Sequence, residues 1–130
     1  MLTEDLNALH ARFRSQWPSN IRVEYDNQPA IAPLSGEIWA RFHVEPSSGE
    51  RRTLGLGGLR SQLGRVMIQI FVPIGSADGE AASLATTAAT IFNEWVSPDF
   101  KLRCDLADYR TDQDEHWYWY TVSTAWESIR

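Results

Sequence analysis

The side chains best equipped for chemistry cluster in one short segment, Asp112-Gln113-Asp114-Glu115-His116, which brings three carboxylates and an imidazole together. Asp112, Asp114 and His116 occupy alternate positions. In an extended backbone they would share one side and could hold a hard cation, the basis of a metal-dependent enzyme. The segment lacks the glycine and distal glutamate of an EF-hand loop, and its composition fits a solvated hairpin turn better.

A second candidate is the stretch Leu54-Gly55-Leu56-Gly57-Gly58-Leu59-Arg60, whose glycines suggest a phosphate cradle. A P-loop requires G-x-x-x-x-G-K-[ST], but Leu63 stands five residues after Gly58 and no Lys with Ser or Thr follows. A dinucleotide fingerprint requires G-x-G-x-x-G, but Arg60 stands three residues after Gly57. Both motifs also need a helix directly downstream, whereas an alternating apolar strand follows. The glycines are instead expected to relax a strand end, with Gly64 supplying a turn or bulge into the next strand. Arg60 and Arg65 then flank that turn, as solvated tips or as contacts for an acidic partner.

The remaining reactive groups add little. His10 and His43 have no acid or nucleophile at a recognisable spacing, and neither G-x-S-x-G nor H-E-x-x-H occurs. The single cysteine, Cys104, excludes an internal disulfide and a cysteine zinc site, and its alternating surroundings predict a buried, inert thiol. No catalytic residue, metal ligand or cofactor is assigned, and the protein is expected not to be an enzyme.

The elements that must carry these residues follow from periodicity. Leu6, Leu9, Phe13 and Trp17 recur at helical spacing behind an N-cap at Thr3, predicting a helix from about Glu4 to Gln16 that Pro18 stops. Ile21, Val23 and Tyr25 alternate in a short strand, and Asp26 to Gly36 reads as an irregular loop. From Glu37 the pattern is two-periodic, with Ile38, Ala40, Phe42 and Val44 on one side and Trp39, Arg41, His43 and Glu45 on the other. Pro46-Ser47-Ser48-Gly49 reads as a turn into a strand from about Arg51 to Leu59. A third strand follows, Val66, Ile68, Ile70 and Val72 alternating with Arg65, Met67, Gln69 and Phe71. A helix capped at Asp78 is expected from Gly79 to about Val96, its inner face Ala81, Leu84, Ala85, Ala88, Ile91, Phe92 and Trp95. Phe100, Leu102, Cys104 and Leu106 then alternate in a strand. A polar turn, Arg110 to Glu115, leads into the last strand, Trp117 to about Ser128.

This order predicts an α+β fold: a mostly antiparallel twisted sheet of about five to six strands with two helices packed on one face, in a single domain over residues 1–130. At 130 residues, 43% hydrophobic and 22% charged, the composition is that of a soluble globular protein. The net charge of −5 lacks the footprint of a nucleic-acid binder, and neither a signal peptide nor a membrane span is recognised. The last strand carries aromatics on both faces, Trp117 and Trp119 opposite Tyr118 and Tyr120; Trp39 and Phe71 likewise oppose their strands' aliphatic rows. A two-layer domain needs one apolar face per strand, so the second face serves an interface or lies beneath a loop.

The sequence resembles the phage tail terminator-like family, small tail-completion proteins of long-tailed phages and prophages. The matching features are RVEYDNQPAIAP after the first helix, the strand GEIWARFHV, the run LGLGGLRSQLGRVMIQIFVPIGSADGEA into the second helix, and the closing strand WYWYTVSTAWES. The most specific part combines Gly55, Gly58, Arg60 and Gly64 with the strand ending Phe71-Val72-Pro73. The resemblance implies a structural protein forming a ring, typically hexameric, that caps the tail tube, stops its growth and joins tail to head. Its partners would be further copies of itself, the tail tube protein and head-tail connector proteins, with neither nucleic acid nor membrane. It would reside in the virion tail, and in the host cytoplasm during assembly. A ring needs a head-to-tail interface that closes by rotation. The interface residues expected on this layout are Asn27, Trp39, Arg52, Arg60, Arg65, Phe71, Trp117 and Trp119.

Overall fold

The computed structural model describes residues 2–26, 36–51, 58–75 and 78–130. Helix α1 spans Leu2–Gln16, strand β1 Arg22–Tyr25, β2 Trp39–Arg51 and β3 Arg60–Pro73. Helix α2 covers Asp78–Phe92, β4 Leu102–Gln113 and β5 Trp117–Ile129. The strands form one five-stranded sheet in the order β1-β2-β3-β5-β4. Only β1 runs parallel to its neighbour, β2; every other pair is antiparallel. The fold is α+β, with both helices on one sheet face.

The expected stripes place the helices. Leu9, Phe13 and Trp17 of the α1 stripe are buried, as are Ala81, Leu84, Ala85, Ala88, Ala89, Ile91 and Phe92 of α2. They meet Ala40, Phe42, Val44, Val66, Ile68, Ile70 and Val122 on the sheet. Phe13 stacks on Phe42 at 4.2 Å between ring centroids, and Phe92 stacks on the same ring at 6.2 Å. Burying side chains of this size contributes on the order of 1.5–3 kcal/mol each, which makes this layer the main source of stability.

Several boundaries differ from the sequence expectation, each for a physical reason. Thr3 lies inside α1 rather than capping it. Pro46-Ser47-Ser48-Gly49 is not a turn: β2 runs through it, with Pro46 opposite Gly64 and Gly49 opposite Gln62, so one extra residue forms a bulge. Proline is tolerated there because β1 pairs only with Trp39 to Phe42, leaving β2 an edge strand beyond. Most of the expected separate strand from about Arg51 to Leu59 lies outside the described residues. Arg51 ends β2, Gly58 and Leu59 precede β3, and residues 52–57 lie outside the described residues.

Gly64 is likewise no turn. It sits within β3, buried, where an added Cβ would lie 2.4 Å from Trp126 Cζ2 and 2.6 Å from the Glu45 carbonyl oxygen. Glycine is required for close approach, not for conformation. Helix α2 stops at Phe92 rather than near Val96, because Glu94 takes a left-handed φ of 53°. Phe100 also lies outside its expected strand, in a turn with φ 61°. Leu106 is 59% exposed because a second bulge, between Cys104 and Ala107, reverses the alternation of β4. The strand then continues to Gln113, so the last hairpin turn is shorter than the expected Arg110–Glu115.

Candidate functional site

The sheet face opposite the helices collects the surplus aromatics. Pairing sets Trp39 of β2 opposite Phe71 of β3, and Phe71 opposite Trp119 of β5. Trp39 and Phe71 stack at 4.2 Å with 9° between their planes; Trp119 tilts against Phe71 at 5.3 Å and Trp117 meets Trp39 edge-on at 6.0 Å. Arg41 lies over both Trp39 and Phe71, at 5.4 and 5.3 Å, and Arg22 lies 5.9 Å from the Trp39 ring. The two guanidiniums are held by carboxylates, Arg22 by Glu37 at 3.3 Å and Arg41 by Glu24 at 3.3 Å. Four of the eight sequence-derived interface residues thus form one cluster.

Within it the burial is graded. Trp39 and Phe71 are buried in the single chain, at 5% and 6% exposure, while Trp117 and Trp119 are half-buried. The Trp39 Nε1 group is buried and has no hydrogen-bond partner among the described residues. Arg22 and Arg41 were not singled out from sequence. The signal was present for Arg41, which shares the Trp39 face two residues on, but Arg22 depends on the parallel register of β1.

Arg65 lies farther along the same face, donating from Nε to Ser123 Oγ at 2.7 Å and pairing with Asp108 at 3.6 Å. Arg60 is not part of this group. It begins β3, and its backbone exchanges hydrogen bonds with Arg130 while its side chain is exposed. Asn27 and Arg52 lie outside the described residues.

The carboxylate cluster resolves into a turn. Asp114 Oδ1 accepts the backbone amides of His116 at 2.8 Å and Trp117 at 2.7 Å, closing the β4–β5 hairpin. Those two hydrogen bonds hold its carboxyl below the ordinary range. Asp112 sits on β4 opposite Trp119. Among the described residues no three His, Cys, Asp or Glu side chains are grouped to hold a metal ion. Burial pushes the Cys104 thiol up to about 12, so it is protonated at neutral pH. Burial also lowers His10, whose neutral ring packs edge-on against Phe42 at 4.9 Å.

Sequence reasoning missed a charged network at the far end of the sheet. Asp5, fully buried, accepts from Ser128 Oγ at 2.6 Å and from Arg130 Nε at 2.9 Å. Arg130 also donates to Asp99 at 3.1 Å. The Ser97 hydroxyl, then the Lys101 amide, then Arg130 hold the Asp99 carboxyl down at about 2. Residues 5 and 130 are too distant in sequence for spacing to reveal the pair.

No curated protein sequence matches the chain significantly. One solved structure superposes with a TM-score of 0.69 at 15% identity, covering 95% of this chain and 94% of that one; at that identity the likeness speaks for the fold. A family model described as phage tail terminator protein matches residues 6–126, from the first turns of α1 to Trp126 in β5. The chain belongs to the phage tail terminator family, and its role is that of a structural component of a phage tail.

Proposed function

We propose that the protein is a non-enzymatic tail-completion protein that assembles into a ring through head-to-tail contacts between copies, caps the tail tube and joins it to the head. Assembly would take place in the host cytoplasm, with the tube protein and head-tail connector proteins as partners. The observation that supports this best is the sheet face opposite the helices, where Trp117 and Trp119 are half-buried beside a buried Trp39–Phe71 stack and Arg65 extends the face. Partly exposed tryptophan and arginine on a rigid strand are the residues that anchor protein interfaces. A sheet pre-forms the surface, so association orders few side chains. Negative-stain imaging with a mass measurement, alone and with purified tail tubes, tests the reading. Closed rings, free or on tube ends, are expected; a strict monomer that ignores tubes would overturn it.

A further inference from the structure

The two ends of the sheet differ in charge, and each carries an exposed apolar side chain. At one end the turn 97–101 holds Phe100 in the left-handed region at φ 61° and leaves its ring 85% exposed. A bulky aromatic rarely takes this backbone conformation, and strain of this kind persists only where the surroundings over-determine it. They do so here. The Phe100 amide donates to the Ser97 carbonyl at 2.9 Å, Ser97 Oγ donates to Asp99 Oδ1 at 2.6 Å, and the Lys101 amide donates to the same oxygen at 3.1 Å. Arg130 ties Asp99 to the buried Asp5. The turn is thus a rigid mount for one solvent-facing ring.

Two cations stand at the same end of the sheet. The Ile129 amide donates to the Lys101 carbonyl, and Arg130 pairs with Arg60 through the backbone, so Lys101 and Arg60 stand on either side of the end of β5. Both are exposed and neither makes an ion pair among the described residues. At the opposite end, about 40 Å away along the 13 residues of β5, lies the β4–β5 hairpin turn. Asp112, Asp114 and Glu115 are exposed there, and the Ile74 amide donates to the His116 carbonyl at 2.9 Å, which sets the 45% exposed Ile74 beside them.

An exposed aromatic next to Lys101, with Arg60 two strands away, therefore sits at one end, and an aliphatic beside three carboxylates at the other. Resting on the ring reading above, we infer that these ends meet: the Phe100 turn of one copy docks, with Arg60 and Lys101, onto the acidic hairpin turn and Ile74 of the next copy. Different patches on the two copies make the contact heterologous, the type a ring requires. Charge complementarity would set its orientation and speed encounter.

The test uses the full chain. Phe100→Gly relieves the left-handed strain, so the monomer should melt at the wild-type temperature or higher while ring formation falls at least tenfold. Arg60→Glu/Lys101→Glu and Asp112→Lys/Glu115→Lys, which leave the Asp114 turn intact, should each fail to assemble alone. Mixed together they should co-assemble, because each variant's intact or reversed end then meets its opposite charge. Wild-type rings alongside unchanged rings from either reversed variant, or from Phe100→Gly, would overturn this contact and leave the ring reading standing. Absence of wild-type rings, free or on tubes, would remove both.

Discussion

Gly64 shows how much one missing atom determines. Trp126 packs against its backbone, and an alanine Cβ would press on both the indole ring and the Glu45 carbonyl. Because backbone stands on one side, the crowding has no flexible outlet. Gly64→Ala should therefore cost about 3 kcal/mol, the upper end for overpacking. The urea midpoint should fall with an unchanged m-value. Asp99 gives a pH signature. Its carboxyl titrates at about 2 in the fold against an ordinary value of 3.8, so the folded state holds its proton more weakly than the unfolded chain. A depressed carboxylate stabilises the fold above the unfolded value, and that contribution is lost as pH falls from about 4 towards about 2. Thermal midpoints across that window should fall less steeply in Asp99→Asn than in the wild type.

At the level of elements, the sheet is a two-faced support. The helices cover one face, and on the other β2, β3 and β5 align Trp39, Phe71, Trp117 and Trp119 by register. Burial separates two roles within that cluster. Trp39→Ala empties a site inside the single chain and should cost about 3–5 kcal/mol of monomer stability, read by denaturant unfolding. Trp117→Ser removes a half-exposed ring and should cost the monomer about 1 kcal/mol or less while reducing ring or tube-bound assembly in imaging. Equal stability losses from the two would place both rings in the interior and take Trp117 out of the interface. The bulge in β2 sits on an edge, where an extra residue disturbs no second strand. That in β4 faces residues 93–96, with the Glu94 amide donating to the Asp105 carbonyl and the Ala107 amide to Asn93 Oδ1.

For the whole molecule, an acidic chain that docks through Arg60 and Lys101 onto a carboxylate-bearing turn should associate in a salt-dependent way. Raising salt from about 0.1 M to about 1 M shortens the Debye length from ~10 Å to ~3 Å and should weaken assembly of the wild type by sedimentation. A ring held only by aromatic burial would be insensitive to salt or strengthened by it.

By itself the sequence determined the two amphipathic helices, the alternation of the long strands, the failure of the phosphate-loop and nucleophile spacings, and the family resemblance that the family model then matched. These are local: a period of 3.6 or 2 residues, or a fixed motif interval, is complete within one segment. The same alternation put Trp39, Phe71, Trp117 and Trp119 opposite the aliphatic rows before any strand order was known. Tertiary structure alone decided the rest. Pro46 reads as a turn until β1 proves too short to make β2 an internal strand there. Gly64 reads as a turn or bulge residue until Trp126, 62 positions on, is laid across it. Asp5 belongs to no sequence motif, and only the fold brings Ser128 and Arg130 onto it. Each of these depends on which strand becomes the neighbour, and neighbours in space are chosen by packing over the whole chain, which no local period encodes.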